Sequence, residues 1–149
     1  MDDLIESFNK SLQTGYVDKS ILSDQYYQPE LLVNQKNPPK KVLSTIIHEL
    51  ENCQQFFISV AFVTTSGVAT IINKLKELEY KNIKGELLVS QYLNFTQPEA
   101  LKRLLQFTNI DLRIAIKGNA HTKGYIFKNK AYYNLIVGSS NLTASALAT

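Results

Sequence analysis

The chain has 149 residues, of which 44% are hydrophobic and 19% charged, and its formal net charge is +3. These values predict one globular domain with a real core and exclude a disordered protein. No apolar run reaches the length of a membrane span, and the acidic start, MDDLIES, is not a signal peptide. We therefore expect a cytoplasmic protein with no membrane partner.

Cysteine and histidine usage argues against metal and redox chemistry. The single cysteine, Cys53, excludes an internal disulfide bond and is interpreted as a packed thiol at a helix end. No Cys/His cluster has metal-ligand spacing, so we expect no metal and no other cofactor.

The first part of the chain is interpreted as a lead-in. Residues 1–39 are predicted to be loosely helical and to pack on the core, and residues 40–149 to form the domain itself. The Pro38-Pro39 pair marks the boundary. Apolar residues recur every four positions near the start, at Leu4, Phe8 and Leu12.

From Lys40 onward, helical and strand-like patterns alternate. Apolar runs predict strands, the first of them buried on both faces, at residues 56–63, 86–90, 112–116, 121–127 and 132–137. Apolar residues at helical spacing predict helices that open at Lys40, at Ser66-Gly67 and at a capping box beginning at Thr96. This order predicts an α/β fold: a mixed, mostly parallel sheet flanked by helices on both faces.

The apolar patterns of the first and third helices predict which of their side chains face the core. His48 lies off the apolar stripe of the first helix, which ends at about Asn52, so we interpret it as solvated. In the third helix, the leucines expected to face inward are Leu101, Leu104 and Leu105.

Residues 120–141 hold the residues that point to chemistry; they read AHTKGYIFKNKAYYNLIVGSSN. On a strand, His121 and Lys123 would project on the same side, about 7 Å apart. A hairpin then returns to Gly138, and Ser139, Ser140 and Asn141 follow just ahead of a helix-forming tail. A nucleophile candidate, a cation, hydroxyl groups and an amide are what an anionic tetrahedral centre requires.

The positive charge is concentrated in the same part of the chain. Residues 111–149 hold five basic side chains against Asp111, whereas residues 1–110 have a slight acidic excess. Such a distribution favours a phosphate-bearing partner, although five cations can also form an ordinary solvated face.

The motif resembles that of the phospholipase D superfamily, which reads His-x-Lys, four residues, Asp, about six residues, then Gly-Ser-x-Asn. His121, Lys123, Gly138, Ser139 and Asn141 match it. Lys128 stands at the Asp position, and the stretch between Lys128 and Gly138 is three residues longer than in the superfamily motif. These departures weaken the expectation of catalysis. The resemblance implies the same mixed α/β fold.

A closer resemblance covers nearly the whole chain. Segments such as Phe57-x-Ser-Val-Ala-Phe-Val-Thr64 and Gln91-Tyr-Leu-Asn-Phe-Thr96 are similar to the N-terminal phospholipase D-like domain of bacterial superfamily-2, restriction-type helicases. This implies DNA as the partner and a helicase core in the same full-length chain. No Walker loop occurs within these residues, so we expect the motor, and an acidic residue supporting the histidine, beyond Thr149.

The chemistry that the resemblance implies is metal-independent phosphodiester cleavage through a phosphohistidine. His121 would be the nucleophile, Lys123, Ser139 and Asn141 would complete the catalytic set, and Lys123, Ser139, Ser140 and Asn141 would bind the phosphate. One motif per chain implies a homodimer, because the family pairs two copies. The alternative is a non-catalytic DNA-binding or dimerisation module of the helicase, and a lipid-hydrolysing role ranks third.

Overall fold

The computed structural model describes residues 5, 6, 9, 30–116, 118 and 120–148. The chain divides into two compact units, Met1–Leu32 and Val33–Thr149. Most of the predicted lead-in, including Leu4, Phe8 and Leu12, lies outside the described residues.

The second unit contains a sheet and the helices that follow its strands. Its helices are α1 (Val42–Asn52), α2 (Thr65–Tyr80), α3 (Pro98–Leu104) and α4 (Ala144–Ala148). A small antiparallel hairpin, β1 (Gln35–Lys36) and β2 (Pro39–Lys40), precedes α1. The remaining strands are β3 (Gln55–Val60), β4 (Lys84–Ser90), β5 (Ile110–Ala115), β6 (Gly124–Lys128) and β7 (Tyr133–Val137).

Strands β3 to β7 form one sheet, in the order β5-β4-β3-β6-β7. The pairs β3–β4 and β4–β5 are parallel, and β6 pairs antiparallel with both β3 and β7. Four of the five strands therefore run in one direction and β6 alone runs against them. This confirms the predicted mixed α/β sheet with a closing antiparallel hairpin.

Burial alternates along the central strands. In β3, Phe56, Ile58 and Val60 are buried, whereas the residues between them are only half-buried. On the same half-open face of the sheet, Leu88 of β4 is 42% exposed. The prediction that the first strand is buried on both faces is therefore wrong, and its length was overestimated, since it ends at Val60. Helices on both faces stay a prediction.

Helix α1 has the predicted amphipathic form. Val42, Ile46 and Leu50 are buried and His48 is exposed, as its position off the apolar stripe indicated. The side chain of Asn34 secures its first turn: Oδ1 accepts from Val42 N at 2.9 Å, and Nδ2 donates to the carbonyl oxygen of Ala146 at 3.0 Å.

Helix α2 begins one residue earlier than predicted. The N-cap is Thr64, whose hydroxyl accepts a hydrogen bond from Gly67 N at 3.1 Å. Thr64 N in turn donates to the carbonyl oxygen of Leu142, which places the start of α2 against the segment that follows β7.

The start of α3 corrects a prediction. Thr96 does not cap the helix; its hydroxyl donates to the buried carbonyl oxygen of Ser90 at the end of β4, at 2.7 Å. Gln97 is the N-cap residue, and its side-chain oxygen accepts from Thr65 N at 2.8 Å. Leu104 is buried as expected, whereas Leu105 is 67% exposed because the helix has already ended.

Within the described part of the chain, no helix is both long enough and apolar enough to cross a membrane.

The close approach of α2 to the segment after β7 predicts an asymmetry between two glycines. A methyl group on Gly67 would collide with the backbone carbonyl of Leu142 and lie 2.7 Å from Thr143 Cα. At Gly138 the same methyl group would meet no atom within 4 Å. Gly67→Ala should lower the free energy of unfolding by about 1–3 kcal/mol, the usual cost of overpacking. The collision with the backbone should outweigh the gain in helix propensity, roughly 1 kcal/mol at most, that alanine has over glycine.

Urea denaturation of both variants tests this, with Gly138→Ala as the matched control, expected within about 0.5 kcal/mol of the parent. Equal stability of the two variants would contradict the packing described.

Candidate functional site

The residues predicted to carry chemistry lie at one edge of the sheet. The parallel strands β3 and β4 end there, β6 begins there and β7 ends there, as the pairings Ser59↔Gly124, Val60↔Val89 and Gly124↔Val137 show. In open α/β sheets, ligands bind outside the carboxyl ends of the parallel strands. The fold therefore places His121, Lys123 and the Gly138–Asn141 motif where a ligand is expected.

His121 and Lys123 are in direct contact. Lys123 Nζ lies 2.7 Å from Nδ1 and 2.8 Å from Nε2 of the imidazole, and it donates to the carbonyl oxygen of His121 at 2.8 Å. Lys123 is only 7% exposed, whereas His121 is exposed. The contact therefore places the nitrogen of a largely buried lysine against the ring of an accessible imidazole.

These two residues precede the strand in which they were predicted. β6 begins at Gly124, so the predicted strand at residues 121–127 is wrong at its first three positions. The physical reason lies on β3. Beyond Val60, the N–H groups of Ala61 and Phe62 donate to the side chain of Asn141, so they are not available to continue the ladder toward His121.

Asn141 holds a fixed orientation. Its Oδ1 accepts from Ala61 N at 3.0 Å and from Phe62 N at 3.2 Å, and the residue is 7% exposed. With the oxygen bound to two donors, Nδ2 has to point the other way, and in the described part of the chain it has no hydrogen-bond partner. The amide nitrogen thus carries two N–H groups that no described residue accepts.

The serines of the motif differ from each other. Ser139 is exposed, so its hydroxyl is accessible to a ligand. Ser140 Oγ lies 3.5 Å from the carbonyl oxygen of Ala146, and its own carbonyl oxygen accepts from the Tyr125 hydroxyl at 2.9 Å. Burial raises the pKa of Tyr125, so this phenol remains a hydrogen-bond donor. Ser139 is therefore the better placed of the two predicted phosphate-binding hydroxyls.

The tail after the motif is helical, as predicted, but it begins later. The Thr143 hydroxyl accepts from Ala146 N at 3.1 Å and caps α4, which starts at Ala144. The motif serines consequently lie just ahead of the helix, as predicted.

A residue that sequence reasoning missed is Tyr92. Its ring lies against His121, with centroids 4.4 Å apart and planes inclined at 48°. Tyr92 opens the short 3-10 turn Tyr92–Asn94 that follows β4. Its position directly after a parallel strand was the signal that could have indicated it, since the ends of such strands converge at this edge.

The described cations of the predicted positive patch do not all lie at the candidate site, and Lys117 lies outside the described residues. Lys128 lies at the far end of β6, where it pairs with Gln55 and Tyr133, so its side chain does not occupy the position of an acidic residue beside His121. Arg113 forms ion pairs with Asp111 and Glu86 on β5 and β4. Among the described cations of residues 111–148, Lys123 is the one in contact with His121.

Cys53 and His48 take no part in this arrangement. Cys53 follows α1, is buried, and its pKa is raised to about 11 by desolvation, as expected for a packed, unreactive thiol. The described residues contain no group of three His, Cys, Asp or Glu side chains that could hold a metal ion.

A five-stranded mixed sheet with a His-x-Lys pair and a Gly-Ser-x-Asn motif at one edge defines a phospholipase D-like domain. The family model described as "Cardiolipin synthase, PLD-like domain" matches residues 46–149, and the chain belongs to this family of phospholipase D-like domains. No curated protein matches the chain. Membership indicates phosphodiesterase-type activity in general.

The anchoring of Asn141 predicts a specific stability defect. Asn141→Ala would leave the buried Ala61 N–H without its acceptor and weaken the tie of the motif to β3. We expect the free energy of unfolding to fall by about 1–3 kcal/mol, the cost of one unsatisfied buried donor. Asn141→Asp retains an acceptor oxygen and should lose less.

Thermal or urea denaturation measures both effects. Ser139→Ala is the control, because an exposed hydroxyl should contribute within about 0.5 kcal/mol. An Asn141→Ala variant as stable as Ser139→Ala would show that these hydrogen bonds do not hold the site together.

Proposed function

We propose that this chain is a metal-independent phosphodiesterase domain that cleaves DNA and belongs to a cytoplasmic DNA helicase or restriction-type protein. The observation that carries the proposal is the pairing of a buried Lys123 with the ring of His121, beside an Asn141 amide whose oxygen is already bound. In this proposal His121 is the nucleophile, Lys123 the cation and Asn141 the source of N–H donors, and a phosphodiester needs all three.

The nucleophile is His121. A neutral ring nitrogen attacks phosphorus, a P–N bond forms and the P–O bond to the leaving group breaks, which gives a phosphohistidine. Water then attacks the phosphohistidine, the P–N bond breaks and the imidazole is restored. Dividing one displacement into two steps lowers the barrier of each.

Lys123 and Asn141 stabilise the charge on the non-bridging oxygens. Lys123 carries the positive charge in a largely buried position, where electrostatic interactions are stronger than in water. Asn141 Nδ2 and the Ser139 hydroxyl add hydrogen bonds. A bound phosphate would attract the Lys123 ammonium away from His121, which would free the ring nitrogen for attack.

The leaving oxygen needs a proton from a second residue. His48 is exposed on α1, which leads into the amino end of β3, at the edge opposite the site. We therefore propose that the second histidine is His121 of a second copy of the chain. In a two-fold dimer, identical residues can hold different protonation states, one as nucleophile and the other as acid.

DNA is proposed as the substrate because the sequence resembles the N-terminal domain of restriction-type helicases. The alternative, a non-catalytic DNA-binding or dimerisation module, is favoured by one feature, the lysine at the position where the motif has Asp. The position of Lys128 at the far end of β6 removes it from the proposed chemistry. DNA binding without cleavage by the full-length protein would establish the alternative.

Two lysines provide a matched test, because Lys123 directly precedes β6 and Lys128 is its last residue. Lys123→Met should reduce DNA cleavage by about 10²–10³-fold, the usual loss when a group that stabilises developing charge is removed. Lys128→Met removes the same charge at the far end of the strand and should leave the rate within about twofold.

The assay uses the full-length protein in the presence of a chelator, because no step requires a metal. Equal losses in the two variants would mean that Lys123 acts only through the overall charge of the protein. Cleavage that EDTA abolishes would contradict the metal-independent mechanism.

The dimer makes a quantitative prediction. When His121→Ala and parent chains are mixed in equal amounts and allowed to exchange, half the dimers contain one defective chain and lack one of the two roles. Activity should fall to about a quarter of the parent value, instead of the half expected for independent subunits. A loss proportional to the fraction of defective chains would disprove the shared site, and so would full activity in a chain shown to be monomeric by sedimentation.

A further inference from the structure

The segment between β4 and α3 presents apolar side chains beside the candidate site. Residues 91–96 include Leu93, which is 66% exposed, and Phe95, which is 54% exposed. Large apolar side chains are thus exposed to solvent near a site proposed to bind a phosphate. We call residues 91–96 the aromatic loop.

The aromatic loop contacts the site on two sides. At one end, the Tyr92 ring lies against His121. At the other, Phe95 packs edge-to-face on Phe62, with ring centroids 5.4 Å apart and planes at 61°. Phe62 N is one of the two donors that hold Asn141. The loop therefore contacts both His121, the proposed nucleophile, and Phe62, whose N–H group orients the Asn141 side chain.

The loop is also held in shape. Its end is tied to β4 through the Thr96 hydroxyl and the Ser90 carbonyl oxygen, and to the start of α2 through Gln97 and Thr65. Between these anchors, Leu93 and Asn94 adopt left-handed backbone conformations, with φ of 48° and 58°. Non-glycine residues rarely adopt this region, and the cost is tolerated where the surrounding structure fixes the backbone, often at functional sites.

We propose that Phe95, supported by Phe62, is a stacking platform for an unpaired nucleobase next to the phosphodiester held by Lys123 and Asn141. Every base offers a flat π-face, and an exposed aromatic ring beside a cationic centre is the combination used to bind single strands. In a duplex the base faces are already stacked on their neighbours, so the preferred substrate is single-stranded. This inference rests on the proposed function, because it assumes that the site binds a phosphate.

Exposed apolar rings next to a phosphodiesterase site would also suit a lipid surface. The observations favour a nucleobase, because the platform is one ring pair, and Lys123, the cation in contact with His121, is buried instead of exposed to a membrane. Membranes bind through broader apolar faces with exposed basic residues. Lipid binding is therefore an outcome that the experiment has to distinguish.

The test compares Phe95→Ala and Phe95→Leu in the full chain. Anisotropy of labelled dT12 should show affinity weakened on the order of tenfold by Phe95→Ala, with a smaller loss for Phe95→Leu, which keeps bulk without the π-face. An abasic 12-mer with the same phosphates should bind the parent and Phe95→Ala equally. Tyr80→Ala is the control, since Tyr80 is 90% exposed at the far end of α2 and should be neutral.

Two further ligands separate the possible failures. Inorganic phosphate, followed by NMR shifts of His121 and Asn141, should bind the parent and Phe95→Ala alike. If phosphate fails to perturb His121 and Asn141, the proposed function itself is wrong. If phosphate binds but Phe95→Ala leaves dT12 affinity unchanged, or weakens the abasic 12-mer equally, the platform is wrong. A loss confined to phosphatidylglycerol vesicles would assign Phe95 to a lipid surface and overturn the proposal.

Discussion

The site depends on one side-chain oxygen. Asn141 Oδ1 accepts the N–H groups of Ala61 and Phe62, the first two residues after β3. These donors would otherwise be orphaned where the strand ends, and a buried unsatisfied donor costs about 1–3 kcal/mol. A single interaction thus ends the ladder between β3 and β6, fixes the loop after β7, and turns the Asn141 amide nitrogen toward the edge of the sheet.

Neighbouring contacts extend this constraint to the remaining residues. Gly138 N donates to the carbonyl oxygen of Lys123 at 3.3 Å, which joins the start of the motif loop to the residue that carries the charge. The Tyr125 hydroxyl holds Ser140 from inside the core. A reactive centre gains most from groups that are oriented before the substrate arrives, because no reorganisation is then needed during the reaction. Here the orientation comes from backbone and buried partners, whereas the proposed nucleophile, His121, stays accessible.

The sequence predicts those features that depend on local pattern. Apolar runs and helical spacing predicted each strand of the large sheet and the helices between them, because burying one face imposes a period on the chain. The motif residues also lie together, since the ends of adjacent strands share an edge. The first and last residues of these elements were harder to predict. The start of β6 depends on Asn141, which lies 17 residues after Gly124. Its side chain accepts the N–H groups of Ala61 and Phe62, just beyond the end of β3.

Other errors have the same physical origin. Thr96 looks like a helix cap in the sequence, but the buried carbonyl of Ser90 takes its hydroxyl, a competition that only the fold creates. Tyr92 belongs to a different segment from His121, and although its position after β4 indicated the same edge of the sheet, the contact of the two rings required the tertiary structure. The motif itself was recognisable in the sequence, whereas its surroundings, including the aromatic loop, required the tertiary structure.

A nucleophilic His121 forms a covalent product with its substrate, and the most direct measurement is to trap that product. Full-length protein incubated with a single-stranded oligonucleotide and quenched in alkali should contain a phosphoramidate on His121, detected by mass spectrometry of the peptide and by ³¹P NMR. The adduct should be absent from His121→Ala and should disappear in acid, as phosphohistidines do. Cleavage of the oligonucleotide with no modification of His121 at any time point would contradict the account.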